Sequence, residues 1–461
     1  MRDRVDRPCE QCGRYACRRT SRRGPPDRLI PSQTVSERFI IEGGRPLSGA
    51  VTPSGNKNAA LPILAACLLT EDEVILENVP DIRDVHSMLA LLDDLGVSIR
   101  ELGPHVLSLT ARDIRTTSLD PGLSTRIRAS FLIAGPLLAR FGAVDLPLPG
   151  GDFIGRRRVD THLLAFKALG AKIESDRDFT MRHSGLSGAE IFLDEASVTA
   201  TENALMAAAL ATGETTIMNA ACEPHVQDTA RFLVELGARI AGIGTNVLHI
   251  QGVERLHGGR FRIPSDYIEV ASFIGLAAVT GSDITINDVR ASDLRMINLT
   301  FERLGVRVEM HGESLRVPPD QELRIEADEG DAIPKVDDGI WPAFPADLTS
   351  IATAVATQAH GTVMIFEKMF ENRLFFVDKL VAMGARIVLC DPHRAVVSGP
   401  AQLHGARLES PDIRAGMAML IASLCAKGVS TIGNIGQIDR GYERIDERLR
   451  DLGAAIERVP D

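Results

Sequence analysis

The segment Leu95-Gly96-Val97 closes a helical pattern and opens a strand pattern, and similar segments recur along the chain. Successive glycines of these segments lie roughly 70 residues apart, a spacing too long for a solenoid repeat and suited to a small folding unit. Each glycine stands where a helix ends, so we expect a left-handed C-cap there. The other five segments are Leu169-Gly170-Ala171, Leu236-Gly237-Ala238, Leu304-Gly305-Val306, Met383-Gly384-Ala385 and Leu452-Gly453-Ala454.

A mostly apolar segment of helical length precedes each of these signatures, and a turn and a strand follow it. Helices that are apolar on nearly every side are buried. Each unit is therefore predicted to contain a strand, a buried helix, a strand, an outer helix and two further strands. Six such units predict an α/β protein with internal pseudo-symmetry. The six apolar segments are Ala59–Leu69, Ala129–Ala139, Ala204–Ala211, Val270–Val279, Ile351–Ala359 and Ala415–Ala426.

A charged residue stands near the start of each buried helix. Carboxylates favour helix N-termini, so capping would account for the acidic members of this set. Basic side chains oppose the helix dipole at that end, so Lys57, Arg128 and Arg414 indicate an anion site where cations and backbone N–H groups converge. A set of purely structural ion pairs is the alternative interpretation. The six residues are Lys57, Arg128, Glu202, Glu269, Asp347 and Arg414.

Composition restricts the class of function. The 461 residues carry a net charge of −11, and only 4% of them are aromatic. An acidic chain with few aromatic residues is a poor general binder of nucleic acid. The longest apolar stretches are shorter than the ~20 residues that a membrane helix needs. Cys67 and Cys425 lie in apolar helix patterns and Cys222 and Cys390 are isolated, so no disulfide framework is predicted, which suits a reducing cytoplasm.

The first 36 residues differ from the rest of the chain. Nine Arg residues fall within Met1–Arg28, a Pro pair stands at Pro25-Pro26, and no periodicity is present. We interpret this segment as a flexible basic tail. Its cysteines have a spacing that could suit zinc, but no fourth ligand is evident, so an incidental tail is the favoured interpretation. The three cysteines are Cys9, Cys12 and Cys17.

Three polar segments lie in loops marked by Gly or Pro. Ser54–Asn58 delivers Lys57 to a helix start, and Asp439–Arg444 lies between a strand and the last outer helix. Pro149–Asp160 carries Asp152 at its tip, followed by three consecutive Arg residues. Glycines allow such loops to close over a ligand. The residues alone leave two alternatives open. Asp152 would then be an ordinary turn residue, and the three Arg residues would form a solvated surface.

Seven motifs, taken together and in order, resemble the UDP-N-acetylglucosamine 1-carboxyvinyltransferases, which are enolpyruvyl transferases. The resemblance runs from about Phe39 to Val459. No single motif would be specific. The motifs are Gly55-Asn56-Lys57-Asn58-Ala59-Ala60-Leu61-Pro62, Arg128-Ala129-Ser130, Pro149-Gly150-Gly151, Phe344-Pro345-Ala346-Asp347, Phe370-Glu371-Asn372-Arg373, Asp412-Ile413-Arg414-Ala415 and Ile438-Asp439-Arg440-Gly441-Tyr442-Glu443-Arg444.

The resemblance implies an inverted α/β barrel fold with two similar domains. Each domain would hold three β-α-β-α-β-β units, with the N-termini of the buried helices directed at the cleft between the domains. One domain would combine 37–56 with 265–461. The other would span 57–264 and carry the mobile loop 149–158.

The implied reaction transfers enolpyruvyl from phosphoenolpyruvate to the 3-hydroxyl of UDP-N-acetylglucosamine by addition and elimination, and it releases phosphate. It implies a transferase without metal or other cofactor, acting in the first committed step of peptidoglycan precursor synthesis, with roles in cell shape and division. By position, the catalytic residues would be Asp152 as general acid, Asp347 as base, Lys57 and Asp412. The phosphoenolpyruvate binders would be Lys57, Arg128, Arg157, Arg373, Arg414 and Arg440. The sugar-nucleotide binders would be Asn58, Arg128, Arg157, Val159, Asp160, Ser197, Val198, Asp347 and Met369.

Four positions depart from the family pattern. Most members carry Cys where Asp152 stands, which implies resistance to fosfomycin, a compound that alkylates that Cys. The other three positions lie on the sugar-nucleotide side, so the type of reaction is a firmer expectation than the acceptor. They are Arg158 in place of Pro, Thr199 in place of Gly and Tyr267 in place of Arg.

Several alternatives accompany this expectation. The nearest rival is an enolpyruvyl transferase that acts on another nucleotide or nucleotide sugar in secondary metabolism. A shikimate-pathway transferase, an RNA-end-processing cyclase and a non-catalytic binding paralogue fit the motifs less well. We also expect a cytoplasmic protein, a monomer, with small-molecule substrates and neither nucleic acid nor membrane as partner.

Overall fold

The computed structural model describes residues 36–151, 154–155, 157–175 and 177–461. The predictions for the basic tail up to residue 35 and for Asp152 lie outside these residues. Within the described part of the chain, no helix has both the length and the apolar character needed to cross a membrane.

The described residues form twenty-three strands and thirteen α-helices, joined by short 3-10 helices. The strands are β1 Glu37–Glu42, β2 Ser48–Val51, β3 Val74–Glu77, β4 Ser98–Gly103, β5 Val106–Thr110, β6 Ala143–Leu146, β7 Lys172–Ser175, β8 Phe179–Arg182, β9 Glu190–Phe192, β10 Glu214–Met218, β11 Arg239–Ala241, β12 Val247–Gln251, β13 Gly259–Arg262, β14 Asp283–Ile286, β15 Glu309–His311, β16 Ser314–Val317, β17 Lys335–Asp337, β18 Gly361–Phe366, β19 Arg386–Asp391, β20 Arg394–Gly399, β21 Arg407–Glu409, β22 Val429–Gly433 and β23 Ala455–Pro460. The α-helices are α1 Lys57–Ala66, α2 Arg83–Leu95, α3 Pro121–Ser124, α4 Ala134–Phe141, α5 Asp160–Ala168, α6 Val198–Ala208, α7 Pro224–Glu235, α8 Tyr267–Thr280, α9 Arg295–Glu302, α10 Thr349–Ala356, α11 Val377–Ala382, α12 Ile413–Cys425 and α13 Ile445–Asp451. The 3-10 helices are Cys67–Leu69, Arg128–Ile133, Ala291–Leu294, Ala346–Leu348 and Ile435–Arg440.

The predicted repeats are confirmed. The six signature glycines all have positive φ, between 85° at Gly305 and 109° at Gly96, as a left-handed C-cap requires. The described strands form six small sheets. The helices α1, α4, α6, α8, α10 and α12 are almost wholly buried, because apolar or small side chains cover every side of them.

The expectation that Glu202, Glu269 and Asp347 cap their helices is wrong, although other acidic residues do cap two of the six. Glu202 lies in the second turn of α6, and the side chain that caps α8 is Asp266 rather than Glu269. Asp347 lies inside a 3-10 helix that has no side-chain cap. The side chains that do cap are Asn56 on α1, Asp266 on α8 and Asp412 on α12.

Strand pairing shows where the chain crosses from one part of the fold to the other. In three units the strand before the buried helix pairs in parallel with the strand after it, as β9 pairs with β10, β17 with β18 and β21 with β22. In two units these partners are exchanged, because β2 pairs with β14 and β13 pairs with β3. The exchange places the two connections side by side, and Asn56 N donates to Pro264 O at 2.7 Å while Asp266 N donates to Ser54 O at 2.9 Å. Gly55 is required at this crossing, since a Cβ there would lie 1.8 Å from Asn78 O.

Buried apolar side chains gather into two separate clusters. One cluster takes its residues from Phe39–Val51 and Tyr267–Ile456, and the other takes them from Ala59–Ile263. These bounds support the proposed domain division near residues 57 and 264, which stays a prediction.

Candidate active site

The six buried helices begin at one cavity of about 340 Å³. Backbone N–H groups at helix N-termini favour bound anions, so this convergence creates a field suited to an anionic ligand. The cavity lining includes the first residues of α1, α6, α8 and α12 and of the two 3-10 helices that precede α4 and α10. These residues are Lys57, Val198, Tyr267, Ile413, Arg128 and Ala346.

Most of the residues predicted from the sequence line this cavity. Val159 and Asp160 do not, because Val159 precedes α5 and packs half-buried against an apolar cluster, and Asp160 is the exposed first residue of α5. Asp152 lies outside the described residues. The predicted residues in the lining are Lys57, Asn58, Arg128, Arg157, Ser197, Val198, Asp347, Met369, Arg373, Asp412, Arg414 and Arg440.

Two buried guanidinium groups hold the Asp347 carboxylate. Arg373 Nη2 lies 2.7 Å from Asp347 Oδ1, and Arg414 Nη2 lies 2.9 Å from Asp347 Oδ2. Burial by itself would raise the Asp347 pKa, but Arg414 and Arg373 outweigh it and hold that pKa well below its usual range. Asp347 is therefore ionised, and it takes up a proton only weakly while both arginines face it.

Arg414 is fixed from the other side by Tyr442. The Arg414 guanidinium lies 5.5 Å from the centre of the Tyr442 ring, and Arg414 Nη1 donates to Tyr442 Oη at 3.3 Å. Asp412 caps α12 by accepting from Arg414 N at 2.8 Å, and its carboxylate lies 4.0 Å from Arg373 Nη1. Arg414, which is 3% exposed, is therefore held through its backbone by Asp412 and through its guanidinium group by Tyr442 and Asp347.

A second carboxylate, Asp84, joins Lys57 to Arg440. Lys57 Nζ lies 2.7 Å from Asp84 Oδ2, and Arg440 Nε lies 2.8 Å from Asp84 Oδ1. Burial lowers the pKa of Lys57, and Asp84 opposes that effect. Sequence reasoning missed Asp84, because an acidic residue in the first turn of an outer helix is common and carries no motif.

The described part of the loop 149–158 is attached to both sides of the cavity. Arg128 Nη2 donates to the carbonyl oxygen of Arg157 at 2.5 Å and to that of Arg158 at 3.2 Å. Asn372 N donates to Ile154 O at 3.0 Å. Burial, and then repulsion from Arg157, lowers the pKa of Arg128 to about 10. A loop held by Arg128 and by the 370–373 segment is well placed to cover a ligand.

The departures on the sugar-nucleotide side all have partners within the protein. Arg158 pairs with Asp160 at 3.2 Å and with Asp194 at 2.9 Å. Tyr267 stacks on His225 with ring centres 6.3 Å apart. Arg158 and Tyr267 are therefore each held by neighbouring side chains of the protein itself.

Thr199 joins a buried hydrogen-bond chain. Thr199 Oγ1 lies 3.1 Å from His162 Nε2, and Asn203 Nδ2 lies 2.9 Å from His162 Nδ1. Burial lowers the pKa of His162 to about 3, so the ring is neutral. Because Asn203 donates to Nδ1, the ring proton is assigned to Nε2, which donates to Thr199.

The lining also holds two carboxyl groups, Glu202 and Glu223, whose pKa values are raised by burial. Glu202 is 1% exposed, and burial and the nearby Glu223 raise its pKa well above the usual range. Burial also raises the pKa of Glu223. The described residues contain no group of His, Cys, Asp and Glu side chains arranged to hold a metal ion.

The chain is similar to a family model and to individual proteins over most of its length. Residues 41–449 match the model for EPSP synthase (3-phosphoshikimate 1-carboxyvinyltransferase). The UDP-N-acetylglucosamine 1-carboxyvinyltransferase of Bradyrhizobium diazoefficiens is 58% identical over 92% of this chain and 98% of its own length. The protein of the same name from Treponema denticola is 54% identical over 91% of this chain and 98% of its own length.

Two solved structures resemble the structure of this chain. The enolpyruvyl transferase NikO from Streptomyces tendae has a TM-score of 0.82 and 25% identity, over 93% of this chain and all (100%) of that one. EPSP synthase from Acinetobacter baumannii has a TM-score of 0.71 and 18% identity, over 92% of this chain and 100% of that one, and it supports the fold alone. A family model that spans most of the chain, together with relatives identical at over half of the aligned positions, means that this chain belongs to the enolpyruvyl transferase family.

Proposed function

We propose that this protein transfers the enolpyruvyl group of phosphoenolpyruvate to the 3-hydroxyl of UDP-N-acetylglucosamine and releases inorganic phosphate. The observation that carries the proposal is a single cavity with two separate cation pairs, Arg373 with Arg414 and Lys57 with Arg440. A donor with one carboxylate and one phosphate needs two such subsites. The names of the relatives support the choice of acceptor.

The carboxylate of phosphoenolpyruvate is assigned to Arg373 and Arg414. Planar guanidinium groups match a carboxylate in bidentate geometry. Both side chains are at least nine-tenths buried, and they already hold one carboxylate, that of Asp347. The phosphate is assigned to Lys57, Arg157 and Arg440, which the cavity brings together with the N-terminus of α1.

Asp347 is the proposed base for the acceptor hydroxyl. With both arginines on it, the Asp347 carboxylate is a weak base. A donor carboxylate competes for the same guanidinium groups, so its binding loosens their hold on Asp347 and raises the Asp347 pKa towards the ordinary range. The base would then become effective only once the donor is bound.

The proposed chemistry balances in two steps. In the first step Asp152 gives a proton to the methylene carbon, the hydroxyl oxygen bonds to the central carbon, and Asp347 takes the hydroxyl proton. In the second step the ionised Asp152 takes a proton back from the new methyl group as the bond between the central carbon and the phosphate oxygen breaks, which restores the double bond, and Asp347 passes its proton to the departing phosphate. Cations around the phosphate stabilise the negative charge that the leaving group acquires.

The cellular part of the proposal follows from this reaction. The product is the first committed precursor of peptidoglycan, so we propose a role in cell wall synthesis, and through it in cell shape and division, in the cytoplasm. Since Asp152 replaces the Cys that fosfomycin alkylates, we propose that the enzyme resists that compound.

The test is phosphate release from phosphoenolpyruvate with a panel of acceptors. UDP-N-acetylglucosamine, UMP, UDP-glucose and shikimate 3-phosphate are compared, with and without fosfomycin preincubation. We expect efficient turnover with UDP-N-acetylglucosamine and no time-dependent inactivation. Turnover with another of these acceptors alone would identify that compound as the acceptor in place of UDP-N-acetylglucosamine. Phosphate release with none of the four would overturn the proposed reaction.

A further inference from the structure

Asp84 is a buried carboxylate that contacts two cations from distant parts of the chain. One cation is on α1, which packs in the same hydrophobic cluster as α2, and the other is on the 3-10 helix Ile435–Arg440, which packs in the other cluster. Asp84 lies in the first turn of α2 and is 4% exposed. Lys57, the first residue of α1, places its Nζ 2.7 Å from Asp84 Oδ2. Arg440 donates from Nε to Asp84 Oδ1 at 2.8 Å and from Nη2 to Asp84 Oδ2 at 3.3 Å. Both oxygens of Asp84 are therefore used to hold two side chains of the phosphate subsite.

The charges of this subsite match a phosphate only when Asp84 is counted. Lys57, Arg157 and Arg440 bring three positive charges, and Asp84 neutralises one of them. A phosphate ester carries about −1.5 to −2 charge near pH 7. The complex with phosphate is then close to neutral, which is the favourable condition for buried charges.

The contact also determines where Lys57 points and whether it is charged. An ammonium group has three N–H donors, and Asp84 uses one of them, which directs the other two away from α2. Burial lowers the pKa of Lys57, the nearby Arg414 and Arg440 add to that effect, and Asp84 is the group that opposes it. Asp347, whose pKa the charge of Lys57 helps to lower, also faces this region, and Asp266 accepts a hydrogen bond from the backbone N–H of Lys57.

We propose that Asp84 is a positioning residue of the phosphate subsite, which aligns Lys57 and Arg440 towards the donor phosphate and keeps Lys57 charged. The inference rests on the proposed function, because the donor phosphate is the ligand that these cations would hold. Asp84 itself does not touch the reacting atoms.

The test compares Asp84→Asn with the wild-type chain. Asparagine keeps the shape but cannot neutralise Lys57 or accept from both cations. We expect kcat/KM for phosphoenolpyruvate to fall roughly tenfold to a hundredfold, the scale of a misplaced binding group. The alkaline limb of the kcat/KM profile should also move to lower pH, because Lys57 loses its proton more easily without the aspartate.

Two further variants separate positioning from general damage. Asp84→Glu keeps the charge but shifts it by one methylene, so it should leave the alkaline limb in place and still raise KM for phosphoenolpyruvate. Asp446→Asn is the matched control, since Asp446 is 4% exposed and accepts from Arg458 Nε at 3.3 Å and Nη2 at 2.9 Å, and neither residue lines the cavity. It should reduce stability without moving the pH profile.

A readout without turnover keeps this inference separate from the proposed reaction. Trp341 is the only tryptophan of the chain and lines the cavity, so its fluorescence can report the binding of inorganic phosphate alone. We expect the dissociation constant for phosphate to rise about tenfold in Asp84→Asn, a change of one unit in log K. Unchanged or tighter phosphate binding, or an alkaline limb that coincides with that of the wild type, would overturn the inference. If Asp84→Asn does not fold, Asp84→Glu decides: unchanged phosphate binding in that variant also overturns it.

Discussion

The two ends of the cavity are built in different ways. At the donor end, Lys57, Arg373 and Arg414 are 8%, 4% and 3% exposed, and each bonds to an internal aspartate. At the proposed acceptor end, Arg158 lines the cavity and pairs with Asp160 and with Asp194 on the exposed surface beside it. Buried charges without partners are costly, whereas exposed pairs contribute little and are easily exchanged.

Among the three residues on the sugar-nucleotide side that depart from the family pattern, Arg158 belongs to this exposed set, whereas Tyr267 is 4% exposed and Thr199 bonds to the buried His162. By resemblance, the motif residues assigned to the donor follow the family pattern, while Arg158, Thr199 and Tyr267, which are assigned to the acceptor side, depart from it. A change at the donor end would leave an uncompensated buried charge, but a change at the acceptor end needs only a new local partner. The chemistry is therefore under tighter physical constraint than the choice of acceptor. The predictions below test this contrast, in order of decreasing effect on turnover.

Asp347→Asn should have the largest effect, because it removes the proposed base and leaves Arg373 and Arg414 without their carboxylate. We expect kcat to fall by roughly 10⁴, the upper range for loss of a proton-transfer group. Phosphoenolpyruvate should still bind, since both arginines remain, and Trp341 fluorescence would measure this. Asp337→Asn, which removes a carboxylate paired with Lys335 and Lys368, is the control. Full turnover in Asp347→Asn would exclude it as the base.

Asp152→Asn tests the proposed general acid. Asparagine cannot supply the proton to the methylene carbon, so we expect kcat to fall by roughly 10² to 10³. Steady-state phosphate release measures the change. Asp152→Cys is the matched variant, and it should recover turnover and become sensitive to fosfomycin. An active Asp152→Asn would assign the acid to another group.

Arg414→Lys tests whether geometry or charge matters at the donor end. Lysine keeps the positive charge but cannot bind a carboxylate in bidentate fashion or stack on Tyr442. We expect kcat/KM for phosphoenolpyruvate to fall by about 10². Arg316→Lys, at a surface pair with Asp283, should be neutral. A loss of less than about threefold in Arg414→Lys would mean that charge alone suffices there.

Arg158→Pro tests the acceptor end by restoring the residue more usual in the family. The ion pairs that it removes are exposed, so we expect KM for UDP-N-acetylglucosamine to change by only a few fold, or ~1 kcal/mol at most. KM for phosphoenolpyruvate should not change. A large change in KM for phosphoenolpyruvate would show that the two ends of the cavity are coupled, and it would contradict the contrast between them.

Glu367→Gln should leave turnover at neutral pH nearly unchanged and alter the pH dependence of stability. Burial, and then Asp338, raises the Glu367 pKa from 4.5 to about 8. Between those values the folded state keeps a proton that the unfolded state has lost, so the wild-type free energy of unfolding should fall as pH rises and level off above about pH 8. Gln imitates the protonated form and should lack this slope. Urea denaturation at several pH values measures both chains, with the exposed Glu457→Gln as control.

The extent of sequence-based prediction differed between backbone and side-chain contacts. The repeated Leu-Gly signatures predicted six units and their buried helices, because burial and C-cap geometry leave a strong local pattern. The motif residues predicted most of the cavity lining. Asp84 could not be predicted, because its partners Lys57 and Arg440 lie far from it in sequence. The hold of two arginines on Asp347 was missed for the same reason.

The crossing near Gly55 and Ser265 has a consequence for how this chain can be rearranged. Because the segment from Lys57 to Pro264 leaves and returns through neighbouring backbone positions, its two ends lie next to each other. A short linker could therefore join those ends, and the segment would become a transplantable cassette. An exchange of this cassette between family members would move most of the acceptor-side residues as a block, while Arg373, Arg414 and Arg440 would stay with the recipient.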